Sequence, residues 1–197
     1  INTNLVSLNA QRSLSSSQSQ LSTSMQRLSS GLRINSAKDD AAGLAISERM
    51  NAQVRGMNVA IRNANDAISL SQTAEGALGK VGDMLQRMRE LAVQSANATN
   101  GTSDRANLNA EYQALGTEVV RTLANTKFNG LAILGANAGT LSFQVGANAG
   151  ETVDVVTTRL DTAGSITGAT GGAITDATLA GTAMTNIDTA LTAVNGE

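Results

Sequence analysis

Proline is absent from all 197 residues, so no residue forces a helix to end, and apolar side chains recur at helical spacing over long stretches. They step by four and three residues from Met50 to Ile68, and the pattern resumes from Ala74 to Met88. This periodicity predicts one helix from about 44 to 97, roughly 80 Å long. A helix of that length does not fit inside a compact domain of this size, so we expect a rod-like molecule.

Residues 1–31 carry a narrower apolar stripe, formed by Leu14, Leu21, Met25 and Leu28 at spacings of seven and four. An amphipathic helix in water needs a partner for its stripe, so we interpret this segment as one half of a coiled coil. The alternative is an ordinary helix of an intramolecular bundle. We expect the helix to end at Gly31.

A linker follows over 32–43, where the helical period is interrupted. Ser36 with Asp39 fits a variant of the capping box, which predicts the start of the long helix. Asp39 and Asp40 are adjacent carboxylates at this predicted helix start. We interpret them as capping residues rather than as a catalytic pair, because adjacent helical residues do not face each other.

The chain changes character after the long helix. A polar turn over 97–103 leads to a third helix, antiparallel to the long one because the loop is short. Residues 140–146 and 151–157 alternate between apolar and polar, which predicts a β-hairpin. Residues 162–183 consist largely of Gly, Ala and Thr and predict a low-complexity loop or a short surface domain, and a helical stripe restarts at Met184.

Together these elements predict a mainly α fold. We expect a long rod-like antiparallel helical bundle or coiled coil with a small β-hairpin region. Three glycines at the centre of the long helix, Gly76, Gly79 and Gly82, are expected to let another helix approach closely.

The composition excludes most kinds of chemistry. There is no Cys and no His, which removes thiolate ligands, the commonest metal ligand and the commonest general base, so we expect no catalytic, cofactor or metal site. The formal net charge of −2 disfavours nucleic-acid binding, and no apolar run is long enough to predict a membrane span. Gln86, Arg87, Arg89 and Glu90 form one charged cluster on the long helix, beside Leu91.

Six motifs, in one order and spacing, resemble bacterial flagellin. They are LSSGLRINSAKDDAAGLA at 28–45, RNAND at 62–66, QTAEGAL at 72–78, QRMRELAVQSAN at 86–97, KFNG at 127–130 and FQVG at 143–146. The opening INTN is similar as well. The resemblance covers about residues 1–160, and it implies a structural subunit of the extracellular flagellar filament, exported unfolded by the flagellar type III system.

The resemblance also implies a division of the chain. Residues 1–31 would be an inner-core coiled-coil helix, 32–43 a spoke linker and 44–160 a rod domain. Residues 161–183 would form a short variable surface loop, and 184–197 the start of a C-terminal helix that we expect to continue beyond Glu197. The implied partners are further copies of the chain, a flagellar export chaperone and the cap proteins.

A receptor surface is implied by the same family. Toll-like receptor five senses flagellins, and the motif that faces it matches Gln86, Arg87 and Leu91, with Glu111 as the acidic position. Two alternatives remain open: the hook–filament junction protein, which shares the terminal helices, and a surface-binding protein built on the same scaffold. The QRMRELAV run and the segment from KFNG to FQVG favour the filament subunit.

Overall fold

A computed structural model describes residues 4–197, so most of the opening INTN lies outside the described residues. The chain divides into two compact units, one ending at Met57 and one running from Asn58 to Glu197. The mainly α fold is confirmed, and the elements in chain order are α1 Leu5–Ser30, α2 Ala41–Ala96, α3 Thr102–Asn125, β1 Lys127–Phe128, β2 Leu131–Ala132, β3 Thr140–Gln144, β4 Thr152–Val156, α4 Gly164–Thr170 and α5 Ala177–Asn195.

Helix α1 is delimited by its caps. The Asn4 side chain accepts a hydrogen bond from the amide of Ser7 at 3.2 Å, which satisfies one of the free donors of the first turn. Gly31 ends the helix as predicted, with a φ of 68° that favours glycine. No residue of α1 is buried.

The start of α2 differs from the prediction. The helix begins at Ala41, and Asp40 caps it by accepting a hydrogen bond from the amide of Gly43 at 2.8 Å. Ser36 does not cap the helix, because its amide and hydroxyl donate to the Asp39 carboxylate within the preceding turn. Asp40, which directly precedes the helix, takes the cap position. The helix therefore starts three residues before the predicted residue 44.

One series of buried positions in α2 recurs every seven residues. It consists of Ala60, Ala67, Ala74, Val81, Met88 and Ser95, and further residues are buried beside it: Leu70, Ala77, Leu85, Leu91 and Ala92. The predicted stripe is confirmed at Ala74, Val81, Leu85 and Met88 but is wrong before them, since Ile61 and Ile68 are 60% and 54% exposed. The predicted residues Ile61 and Ile68 each lie one residue after the buried alanines, and the buried residues in this part of the helix are Ala60, Ala67 and Leu70.

Helix α3 returns alongside α2. Arg105, at the start of α3, donates to the carbonyl of Ser95 near the end of α2, and Arg87 pairs with Glu111 further along. This order of contacts makes the two helices antiparallel, as the short loop predicted. Their shared core also takes in α4, α5 and the segment between β2 and β3, with the buried side chains of Leu85, Tyr112, Val119, Leu123, Ile133, Leu134, Ile166, Ile174 and Ile187.

Two antiparallel hairpins follow α3. The predicted one is confirmed, because β3 pairs with β4 from Thr140↔Val156 to Gln144↔Thr152. The other, β1 with β2, was not predicted. Its pairing of Phe128 with Leu131 leaves a two-residue loop, Asn129–Gly130, whose φ values of 48° and 83° have the signs of a type I′ turn.

The structure over 161–183 is not a surface loop. This segment holds α4 and the beginning of α5, which starts at Ala177 rather than at Met184. Ile166, Ala169 and Ile174 are buried within it. The small residues indicated an exposed, low-complexity loop, whereas in the fold their size permits close packing against α3.

The glycines that allow close helix packing are not the predicted ones. A Cβ added at Gly76, Gly79 or Gly82 would meet no other atom of the described chain within 4 Å, so these residues do not mediate close packing there. A Cβ added at Gly116 would lie 2.8 Å from the carbonyl oxygen of Thr170. The close helix contact is therefore between α3 and α4.

Candidate functional site

The buried polar groups of the second unit are used to build the fold. The Tyr112 hydroxyl donates to the carbonyl of Ala169, Ser95 donates to the carbonyl of Ile174, and the Asn109 side chain accepts from the amide of Ile174. Burial raises the pKa of Tyr112 to about 12. These side chains were not singled out from the sequence, and they hold the segment 169–174 against α2 and α3.

Residues 4–197 contain no cluster of three His, Cys, Asp or Glu that could hold a metal ion. Over the same residues, every buried side-chain nitrogen or oxygen has a hydrogen-bond partner. None of the helices in this range is both long and apolar enough to span a membrane. The candidate functional features are therefore three exposed surfaces.

The first is the arginine surface, which we define as Gln86, Arg87, Arg89, Glu90, Glu111 and Asp188. Arg87 is its centre: its Nε and Nη2 donate to Oε1 of Glu111 at 3.0 and 2.9 Å, and its Nη1 donates to Glu90 at 2.9 Å. Arg89 lies two residues, or about 200°, further round α2, and its Nε donates to Asp188 at 2.7 Å. The exposed side of α2 is thus flanked by an ion pair with α3 at one edge and an ion pair with α5 at the other.

The ion pairs of this surface are open to water. The side chains of Arg87 and Glu111 are 51% and 48% exposed. Hydrogen bonds to Glu90 and Glu111 raise the pKa of Arg87, and the hydrogen bond from Arg89 lowers the pKa of Asp188. Exposed pairs of this kind add little stability, so their main effect is to hold the side chains in one arrangement.

The structure separates the four residues that the family motif had grouped. Gln86, Arg87 and Glu111 are exposed, but Leu91 is only 1% exposed and belongs to the core. The Leu91 side chain therefore offers almost no surface to a partner, and its role in recognition stays a prediction. Spacing alone put Arg87 and Leu91 on one helix face, and the packing of α3 onto α2 covers only the latter. Asp188 was missed, because it lies 99 residues from Arg89 and nothing local links them.

The second surface is the apolar stripe of α1. Leu14, Leu21, Met25 and Leu28 are 61%, 62%, 63% and 86% exposed, and they lie along one side of the helix. Exposing four large apolar side chains on a helix without a single buried residue is costly in water. The stripe is therefore a candidate contact surface.

The third surface is a groove between α2 and the β3–β4 hairpin, with a volume of about 500 Å³. Its walls are mostly apolar and include Ala64, Ile68, Val153 and Val155. The Asn63 side chain donates to the carbonyl of Gln144 at 2.8 Å and fixes the hairpin to the helix. The sequence did not reveal this groove, because it forms only where the hairpin meets the helix.

Comparisons with known proteins agree along most of the chain. Residues 1–138 match the family described as the bacterial flagellin N-terminal helical region. The B-type flagellin of Pseudomonas aeruginosa is 56% identical over 155 residues, which are 79% of this chain and 32% of the relative. The flagellin of Halalkalibacterium halodurans is 50% identical over 195 residues, 99% of this chain and 72% of that one.

A solved structure is similar as well. The crystal structure of Bacillus cereus flagellin matches with a TM-score of 0.60 and 33% identity, covering 68% of this chain and 77% of that chain. The chain spans about a third of the length of the Pseudomonas aeruginosa relative and nearly three quarters of the Halalkalibacterium halodurans one.

Proposed function

The chain belongs to the bacterial flagellin family, and on that premise we propose that it is a structural subunit of the extracellular flagellar filament. The observation that carries the proposal is α1, a helix of 26 residues with an apolar stripe and no buried residue. Such a helix is stable in water only when its stripe is covered, and assembly into a polymer covers it. The role is structural rather than catalytic.

The stretches of the chain have separate parts in this proposal. Residues 1–31 form the inner coiled-coil layer, 32–43 the spoke linker, and 44–160 the rod. Helices α4 and α5 pack on α2 and α3 in the shared core, so we assign 161–183 and 184–197 to the same rod. Export by the flagellar type III system, with an export chaperone and cap proteins as partners, rests on the family resemblance.

Filament growth from seeds tests the structural role. The chain is completed with the part of the Halalkalibacterium halodurans flagellin that has no counterpart in it, and is added to sheared filaments of that flagellin. Negative-stain electron microscopy then measures filament length. We expect the completed chain to lengthen the seeds. If it stays soluble in their presence, the filament assignment is wrong.

Substitutions in α1 locate the contact. Leu21→Ser removes a side chain from the middle of the stripe and is expected to stop elongation. Ser16→Ala lies on the opposite side of the helix, two residues or about 200° from Leu14, and is the matched control. Equal growth by both variants would mean that the stripe is not the assembly surface.

The hook–filament junction protein is the alternative function. A junction protein shares the terminal helices and would have the same α1. The structure of α1 therefore does not distinguish a junction protein from a filament subunit. In the seed experiment a junction protein binds the filament end once and blocks further growth. Short seeds that fail to grow when wild-type flagellin is added afterwards would favour this alternative over the filament subunit.

Recognition by Toll-like receptor five is the second part of the proposal. Gln86, Arg87 and Glu111 are exposed, and an ion pair joins Arg87 to Glu111, which favours them as the contact surface. Leu91 then acts from the core, by fixing the α2 backbone beneath Arg87. Arginines held in a defined position are common anchors of protein interfaces.

A matched pair of arginines tests this recognition. Arg87→Ala is expected to weaken receptor activation in a reporter cell line by about tenfold or more. This is the loss typical of truncating a residue that dominates the binding energy of an interface. Arg121→Ala removes another exposed arginine, which pairs with Glu118 on α3, and it should leave the response unchanged. If the two variants respond alike, the arginine surface is not the receptor site.

A further inference from the structure

We propose that Asn129 is a site of spontaneous deamidation, at which the loop of the β1–β2 hairpin converts to aspartate and isoaspartate. The chain holds three Asn–Gly pairs, at Asn100, Asn129 and Asn195. This dipeptide is the one in which the following backbone nitrogen is least hindered, because glycine has no side chain. The three pairs differ in the hydrogen bonds made by the two reacting groups, the asparagine side chain and the backbone amide of the glycine.

At Asn129 both reacting groups are accessible. The side chain is exposed, and no hydrogen bond holds it within the described part of the chain. The amide of Gly130 lies inside the two-residue loop and donates to no backbone carbonyl of residues 4–197. Freeing the loop requires opening only the pairing next to it, between Phe128 and Leu131, while the rest of the hairpin stays on the core.

At Asn100 the same groups are held. The side-chain nitrogen donates to the carbonyl of Gln94 at 2.5 Å, and the amide of Gly101 donates to the Asp104 carboxylate at 3.1 Å. Both bonds must break before the nitrogen of Gly101 can approach the side-chain carbon of Asn100. At the third pair the amide of Gly196 donates to the carbonyl of Ala193 at 3.3 Å, a longer and weaker bond. Asn100 is therefore the better internal control.

The reaction needs only water as a co-reactant. The backbone nitrogen of Gly130 loses its proton and attacks Cγ of Asn129, and the side-chain nitrogen leaves as ammonia, which gives a five-membered succinimide. Water then adds to one of the two ring carbonyls. Opening at one side gives an ordinary aspartate, and opening at the other gives isoaspartate, in which the side-chain carbon has become part of the main chain.

The products change the loop in two ways. Each adds a negative charge two residues from Lys127, and the isoaspartate also lengthens the backbone of a loop whose register is fixed by Phe128↔Leu131. The chain that leaves this hairpin enters the core directly, since Ile133 and Leu134 are buried. Isoaspartate in the loop is therefore expected to loosen the packing of this segment, whereas the ordinary aspartate should preserve it.

Site-resolved mass spectrometry of the folded chain tests the proposal. The protein is held in mildly alkaline buffer, and the conversion at each Asn–Gly pair is followed over days in proteolytic peptides, with isoaspartate counted by enzymatic methyl transfer. A parallel sample in urea gives the deamidation rate of each pair in the unfolded chain. We expect Asn129 to react in the folded chain at close to its unfolded rate, and Asn100 to be slowed at least about fivefold, the factor that one amide hydrogen bond supplies.

Two variants complete the test. Asn129→Gln should abolish the reaction in this loop, because the longer side chain forms the ring far more slowly. Asp104→Ala frees the amide of Gly101 and should raise the folded-state rate of Asn100 about fivefold. The proposal is overturned if Asn129 is slowed by folding as much as Asn100, or if Asp104→Ala leaves the rate of Asn100 unchanged.

Discussion

Gly116 and Gly79 form a matched pair, since both lie inside helices but have opposite surroundings. A Cβ built on Gly116 in α3 would come within 2.8 Å of the Thr170 carbonyl oxygen and 3.2 Å of its Cα. A Cβ on Gly79 in α2 would meet no other described atom within 4 Å. Replacing each with alanine therefore makes the same chemical change with and without a steric clash.

The expected energies follow from these distances. Alanine stabilises a helix interior by about 1 kcal/mol relative to glycine, and this gain is common to both variants. Overpacking against a backbone atom costs about 1–3 kcal/mol, and only Gly116→Ala incurs it. The two variants should therefore differ in free energy of unfolding by about 1–3 kcal/mol. Each kcal/mol of this difference shifts Tm by roughly 2–4 °C. Gly79→Ala is expected to be more stable than the parent chain.

Urea unfolding followed by tyrosine fluorescence is the assay. Tyr112 is the sole tyrosine and there is no tryptophan, so the signal reports on the unit from Asn58 to Glu197. The midpoint of Gly116→Ala should lie below that of Gly79→Ala at an unchanged slope. If the two midpoints coincide, or if their order is reversed, α3 and α4 are not packed as closely as the structure indicates.

Three further predictions concern the core, a buried hydroxyl and a turn. Leu85→Ala empties a fully buried position and should lower the free energy of unfolding by about 2–5 kcal/mol in the same assay; a loss below about 1 kcal/mol would argue against its burial. Tyr112→Phe leaves the Ala169 carbonyl without its partner and should cost about 1–3 kcal/mol by circular dichroism, with no change counting against the hydrogen bond. The amide of Asn35 lowers the pKa of Asp39, so their contact stabilises the turn above the ordinary pKa of aspartate and is lost as the pH falls through the lowered value. The NMR shift of the Asn35 amide should titrate below the usual aspartate range, and a midpoint at the ordinary value would contradict this.

Patterns that repeat along the chain were recovered well. The long helix, the end of α1 at Gly31 and the β3–β4 hairpin each follow from spacing or from the preference of one residue for one backbone conformation. Such signals are local, since the residues that carry them are neighbours in the element they form. Motifs in the same order also sufficed to identify the flagellin family, which the comparisons confirmed.

The errors at the seam of α2, at its glycines and over 161–183 share one physical origin, which is that small residues do not reveal which way they face. Ala60 and Ala67 are buried although the larger Ile61 and Ile68 beside them are exposed. The segment over 161–183 packs in the core although its composition is that of a loop. A short side chain buries little area, so its contribution depends on how closely another backbone approaches, and that distance is set by the whole fold.

The sequence by itself determined the helical class, the family and the exposed stripe of α1, because periodicity, the lack of proline and ordered motifs are properties of the chain. Only the tertiary structure decided which arginine meets which carboxylate, that Leu91 lies inside, and that Gly116 rather than Gly79 is in close contact. Each of these depends on two segments far apart in sequence coming together. Their distance and orientation follow from packing the entire core, not from any one stretch of residues.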